Sequence, residues 1–193
     1  MKLTRLSTKS NLNIKEGQVL WEPSDQADPR IKHFMQWVEL NRGLRFKNYQ
    51  ELWEWSTTDL EGFWGAIWDF FEIKSQRGYQ TVLGNDRMPG ATWFPGTSLN
   101  YAENALEGAE DQVALLCKSE LRSMETITYA ELRKSVASVA LALRNLGVKR
   151  GDRVVAYMPN IRETVVCFLA TSSIGAVWSI CSPEFGIGTV IDR

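Results

Sequence analysis

The sequence predicts an α/β fold in which a helical N-terminal extension is followed by a mainly parallel sheet. Three observations carry that prediction. From Val113 onward the chain alternates strand, helix, strand, helix, strand, with connections long enough to join parallel strands by right-handed crossovers. Val154-Val155-Ala156 is apolar at consecutive positions, as suits a strand covered on both faces. Upstream, Leu60, Phe63, Trp64, Ile67, Trp68 and Phe71 recur at spacings of three and one, which marks an amphipathic helix.

The elements follow in order. Residues 1–30 are polar, and Trp21-Glu22-Pro23-Ser24 and Asp28-Pro29 break any periodicity, so they are read as a tail. Ile31, Phe34 and Val38 share a helical face that Asn41-Arg42-Gly43 stops. His33 lies beside that face and is read as structural. A short helix is expected over Gln50–Trp55, around Leu52 and Trp53. In the aromatic helix, Gly62 and Gly65 each cost roughly 1 kcal/mol against alanine, so a large apolar contact must offset them. One face of rings is a packing surface; a carbohydrate platform or a membrane belt would need polar or basic residues around exposed rings. Gly84-Asn85-Asp86 and Pro89-Gly90 turn the chain at a boundary.

Beyond that boundary, Val113–Cys117 and Ile127-Thr128-Tyr129 read as strands, with polar Lys118–Glu125 as the hairpin between them. Thr128-Tyr129-Ala130-Glu131 is a capping box. It opens a helix whose stripe is Leu132, Val136, Val139, Leu143 and Leu146 and which ends at Gly147. Arg153–Tyr157 is a strand broken by Pro159. Asn160 with Glu163 reads as a second cap, for a helix through Ile174 that Gly175 closes. The strand Ala176–Cys181 follows and is broken by Pro183.

Composition sets limits on function. The chain has 193 residues, 44% apolar and 23% charged, with a net charge of −1, which gives no electrostatic reason to expect nucleic acid or an anionic membrane as partner. Cys117, Cys167 and Cys181 lie in apolar surroundings without Cys-x-x-Cys spacing, and read as buried free thiols in a reducing compartment. No apolar run occurs in residues 1–20, which excludes a secretory signal peptide. The first fifteen residues are basic, hydroxyl-rich and free of acids, a composition shared by transit peptides and by ordinary tails; cytosol is the expected location. Thr164–Pro183 is uncharged over twenty residues, but Thr171-Ser172-Ser173 and Gly175 at its centre suit a buried helix and strand, not hydrocarbon. No membrane span is expected.

Few motifs carry chemistry. There is no Walker A sequence. Gly186-Ile187-Gly188 follows a strand, but Ile191 stands where a dinucleotide fingerprint needs its third glycine. One distant histidine assembles no catalytic triad and no zinc site. Glu110 and Asp111 have nothing apolar beside them to shift a pKa, and read as solvated charges. No catalytic and no metal-binding residue is assigned.

Wording goes further than chemistry. Trp21-Glu22-Pro23, Tyr49-Gln50-Glu51-Leu52-Trp53-Glu54-Trp55-Ser56, Trp93-Phe94-Pro95-Gly96, Leu99-Asn100-Tyr101-Ala102-Glu103-Asn104, Lys149–Val155, Tyr157-Met158-Pro159-Asn160 and Trp178 with Ser182-Pro183-Glu184-Phe185-Gly186 together resemble the adenylate-forming acyl-CoA synthetases. Within that superfamily they resemble the branch that activates acetoacetate. Cys181 departs from the small hydroxyl residue that the resemblance leads one to expect. The resemblance implies an N-terminal tail over 1–30, a helical acetyl-CoA-synthetase-type extension over 31–92 and the start of an AMP-binding lobe over 93–193. It implies an acid–thiol ligase of ketone-body and lipid metabolism, with ATP, Mg²⁺ and coenzyme A as cofactors and small molecules as partners.

The phosphate loop, the adenine- and Mg²⁺-binding stretch, the hinge aspartate and the C-terminal lysine of such enzymes have no counterpart here. The chain is therefore expected to be an N-terminal fragment, inactive alone and holding no cofactor by itself. Ser182, Pro183, Phe185 and Gly186 are the candidates for a coenzyme A channel and acyl pocket, where a glycine permits close backbone approach. The bland alternative is that this loop only turns the chain. Two other functional readings stay open: a different short-chain acyl-CoA synthetase, of acetyl or propionyl type, or a non-catalytic truncated product.

Overall fold

The computed structural model describes residues 15–20 and 29–193. The tail reading and Trp21-Glu22-Pro23 fall mostly or wholly outside the described residues. The chain divides into two compact units, Met1–Trp53 and Glu54–Arg193.

In the first unit, helix α1 (Arg30–Arg42) buries Phe34 and Val38 of the predicted face but leaves Ile31 exposed, and Gly43 ends it in the left-handed conformation at φ 69°. His33 is exposed. Helix α2 (Tyr49–Thr58) carries the boundary between the units and buries Leu52.

The second unit begins with the aromatic helix α3 (Leu60–Phe70), capped by Asp59, whose side chain accepts from the Gly62 N–H at 3.0 Å. The two interior glycines have local reasons. A Cβ on Gly62 would sit 2.1 Å from the Asp59 carboxylate, and one on buried Gly65 would press on Val82 at 3.2 Å. Strands β1 (Leu83–Asn85) and β2 (Thr92–Trp93) pair antiparallel beside this helix. The ring face of α3 packs on aromatic residues between positions 79 and 94: Trp64 meets Trp93 edge-on at 5.8 Å, and Trp68 lies 4.6 Å from Phe94 and 5.3 Å from Tyr79. Such ring pairs add about 0.5–1.5 kcal/mol each beyond the area they bury.

Helix α4 (Tyr101–Ala105) leads to the hairpin of β3 (Val113–Cys117) and β4 (Glu125–Thr128). Helix α5 (Tyr129–Asn145) opens with the predicted capping box: the Thr128 hydroxyl accepts from the Glu131 N–H while the Glu131 carboxylate accepts from the Thr128 N–H. Strand β5 (Arg153–Tyr157), helix α6 (Arg162–Ser173) and strand β6 (Val177–Cys181) form a parallel βαβ unit in unbroken register from Arg153↔Val177 to Tyr157↔Cys181. Helix α7 (Ile187–Ile191) follows. The uncharged run is thus a helix, a glycine turn and a strand, and no helix among the described residues is long and apolar enough to cross a membrane. The core lies between α5 and α6, around Leu132, Val136, Ala140, Leu169 and Ala170, with Ala102 of α4 completing it.

Four expectations need correction. The strands do not share one sheet: β3–β4 is an antiparallel pair of its own, and only β5–β6 is parallel. Val155 is not covered on both faces, being 63% exposed. Leu146 lies beyond the end of α5 and is 80% exposed, while Ala140 takes the buried place on the stripe. Asn160 is not a cap either: Ile161 occupies that position without a side-chain bond, and Glu163 turns to Arg122.

Candidate functional site

Ser182, Pro183, Phe185 and Gly186 fall in one loop at the carboxyl edge of the parallel pair, the edge at which open α/β sheets bind ligands. Strand β6 delivers them after Cys181, which is fully buried. The ladder runs one bond past the strands, since the Met158 N–H donates to the Cys181 carbonyl at 3.1 Å. The loop then closes a turn, Phe185 N–H donating to the Ser182 carbonyl at 3.0 Å. Ser182 is half-buried; Pro183, Phe185 and Gly186 are exposed. The Arg193 guanidinium stands 5.7 Å from the Phe185 ring centre.

Tyr157, at the end of β5, fixes the loop from beside. Its hydroxyl is 2.8 Å from the Pro183 carbonyl and 3.3 Å from the Phe185 carbonyl. Gly186 has φ −65° and caps α7, and a Cβ there would meet nothing within 4 Å. Close approach of this chain's own backbone is therefore not what the glycine serves.

Two of the family-like motifs serve the fold. In Trp93-Phe94-Pro95-Gly96, Phe94 has φ 48°, a left-handed backbone that costs roughly 1–2 kcal/mol for a bulky residue. Its N–H donates to the Val82 carbonyl at 2.7 Å and its ring joins Trp68 and Tyr79, so packing holds the strained corner. In Leu99–Asn104, both amides are spent on backbone. The Asn100 oxygen accepts from the Ala102 N–H at 2.9 Å and caps α4, while its nitrogen donates to the carbonyls of Ser172 at 3.0 Å and Ser173 at 3.3 Å. Asn104 accepts from the Lys74 N–H and donates to the carbonyls of Lys74 and Asn100. The cap half of Asn100 was legible as an Asn before a helix; its grip on the end of α6, more than seventy residues away, was not.

The electrostatics away from the loop are also structural. The Glu131 carboxyl is held below its ordinary value by the Thr128 N–H and then by the Thr128 hydroxyl. That of Glu163 is lowered by its own backbone N–H and by Arg122, against a partial desolvation. Burial, with the Glu163 charge behind it, pushes the Cys167 thiol up, which makes it a poor nucleophile at neutral pH. A cleft of about 270 Å³ between the hairpin and the start of α6 is lined by Cys117, Arg122, Glu125 and Arg162. Arg122 pairs with Glu163 at 2.9 Å and Arg162 with Glu125 at 3.1 Å, so both of these guanidinium groups are already matched. Among the described residues no group of three or more His, Cys, Asp and Glu could hold a metal ion.

Against this geometry stand the known proteins that the chain resembles. The AMP-binding enzyme family model matches residues 102–191, and the model for the acetyl-coenzyme A synthetase N-terminus matches residues 49–105. Sequence, fold and both matches agree that the chain is similar to the acyl-CoA synthetases of the AMP-binding enzyme family. More particularly, it is similar to acetoacetyl-CoA synthetases: 42% identical to that of Xenopus tropicalis, over 97% of this chain and 29% of the relative. With that of Rhizobium meliloti the identity is 38%, over 90% of this chain and 27% of the relative. The solved acetoacetyl-CoA synthetase from Streptomyces lividans superposes with a TM-score of 0.83 at 45% identity, over 91% of this chain and 28% of that one. A malonamoyl-CoA synthetase of Penicillium aethiopicum is 32% identical, over 91% of this chain and 25% of the relative. The chain thus spans under a third of the length of the curated relatives it matches.

Proposed function

We propose that this chain is the N-terminal part of an ATP-dependent acetoacetate–CoA ligase, working in the cytosol on ketone bodies for lipid synthesis. The observation that carries the reading is identity of about two residues in five with acetoacetyl-CoA synthetases along 97% of the chain. The acid's carboxylate oxygen attacks the α-phosphorus of ATP, forming acetoacetyl-adenylate and releasing pyrophosphate. The thiol of coenzyme A then attacks the acyl carbon, losing its proton and displacing AMP. Mg²⁺ and the groups that offset phosphate charge belong to the part of the enzyme outside this chain.

Within the chain, residues 1–30 form a tail, 31–92 the helical extension and 93–193 the first part of the AMP-binding lobe. Ser182, Pro183, Phe185 and Gly186 line the acyl and coenzyme A side of the site. The βαβ unit β5–α6–β6 aims that loop, and Asn100 holds the end of α6.

Acid-dependent ATP–pyrophosphate exchange by the full-length protein tests the reading. Acetoacetate should support exchange far better than acetate or propionate; equal rates would point to another short-chain acyl-CoA synthetase. The similarity to a malonamoyl-CoA synthetase favours one specific rival, a ligase for malonamate, so that acid belongs on the same panel.

A further inference from the structure

We infer that Tyr157 is a positioning residue for the acyl and coenzyme A side of the site, acting through the loop that it ties to the sheet; the inference rests on the reading that Ser182–Gly186 line that side. Two carbonyls of the loop converge on one phenol, Pro183 O at 2.8 Å and Phe185 O at 3.3 Å. A phenol carries one proton, so the shorter bond is the principal one and the longer shares it. The Pro183 peptide has no N–H, and its carbonyl is the handle by which the loop can be held.

The hydroxyl is well placed for that task. Tyr157 is the last residue of β5, in register with Cys181, the last residue of β6. The side chain therefore spans from the edge of a two-stranded ladder to residues two and four beyond it. Cys181 is fully buried, so the loop has a fixed root. Its own backbone contributes the single turn from Phe185 to Ser182, and α7 begins only at Ile187. Between those anchors the phenol is the side chain that bonds the backbone of Pro183 and Phe185, beside that turn and the Arg193 contact with the Phe185 ring. The ring itself is about half exposed, so the hydroxyl contributes more through the loop's position than through packing.

The test is made on the full-length protein, with KM and kcat measured separately for acetoacetate, coenzyme A and ATP. Tyr157→Phe removes one oxygen and keeps the ring. The loss of one neutral hydrogen bond corresponds to about a fivefold change in an equilibrium. The expected result is a rise of about that size in KM for acetoacetate, coenzyme A or both, with KM for ATP and the melting temperature unchanged. Gly186→Trp is measured beside it: a side chain there meets open space within this chain, so it obstructs the site without disturbing this part of the fold. If Gly186→Trp blocks turnover while Tyr157→Phe leaves every constant as it was, the inference is overturned and the loop reading stands. If neither variant alters any constant, both fall. A Tyr157→Phe enzyme that melts earlier and loses all three substrates alike would show the hydroxyl to be merely structural, which also overturns the inference.

Discussion

Asn100→Asp separates the two jobs of one amide. Aspartate caps a helix N-terminus about as well as asparagine, so the bond from Ala102 N–H survives the change. The donor to Ser172 and Ser173 does not. Losing that bond costs about 1 kcal/mol. The new carboxylate also faces the carbonyls at the negative end of α6, which adds about 0.3–1 kcal/mol. Ser172 O keeps a second partner, the Gly175 N–H at 3.0 Å, so that carbonyl is not orphaned by the change. The sum is about 1.3–2 kcal/mol. Asn100→Ala should cost a similar amount, about 1 kcal/mol for the cap and about 1 for the lost donor. Amide hydrogen exchange on the full-length protein, read over the last turn of α6 and over α4, distinguishes the terms. Asn100→Asp should accelerate exchange at the end of α6 and spare α4; Asn100→Ala should accelerate both. An aspartate variant indistinguishable from the parent would refute the argument that Asn100 holds α6.

Thr171 is fully buried, and its hydroxyl has no partner among the described residues; Thr171→Val should be neutral or stabilising by up to about 1 kcal/mol, measured as a denaturation midpoint. Gly62→Ala, which at an ordinary exposed helical site would gain about 1 kcal/mol, should gain nothing, because the methyl group displaces the capping carboxylate of Asp59. Glu131 and Glu163 both have folded values below the ordinary 4.5. The stability that they contribute is therefore present above that value and is lost as pH falls through the lower folded ones; Glu131→Gln should lower the neutral plateau and so flatten the acid limb of a stability–pH curve, leaving stability at low pH little changed. Acetoacetate-dependent pyrophosphate exchange should exceed the acetate rate in the full-length enzyme, as the proposed function requires.

Local chemistry decided what was legible along the chain. The capping box of Thr128 and Glu131, the glycine stop at Gly43 and the strand–helix–strand run from Arg153 to Cys181 are settled by neighbours three or four residues apart, and the structure has each of them. The candidate loop was likewise found from its wording and from its place after a strand. Tertiary contacts decided the rest. Whether β4 joins the parallel pair depends on which edges meet, and a repeating apolar pattern is silent on that. Asn160 and Glu163 have the spacing of a cap, yet a bidentate bond from Arg122, forty-one residues away, holds the carboxylate elsewhere. The sequence by itself determined the elements, their order and the motifs that reveal the family. Only the tertiary structure assigned Asn100 to two helices, allowed Phe94 its strained backbone and brought the Tyr157 hydroxyl to the loop, because those partners are distant in the chain and meet only in the folded molecule.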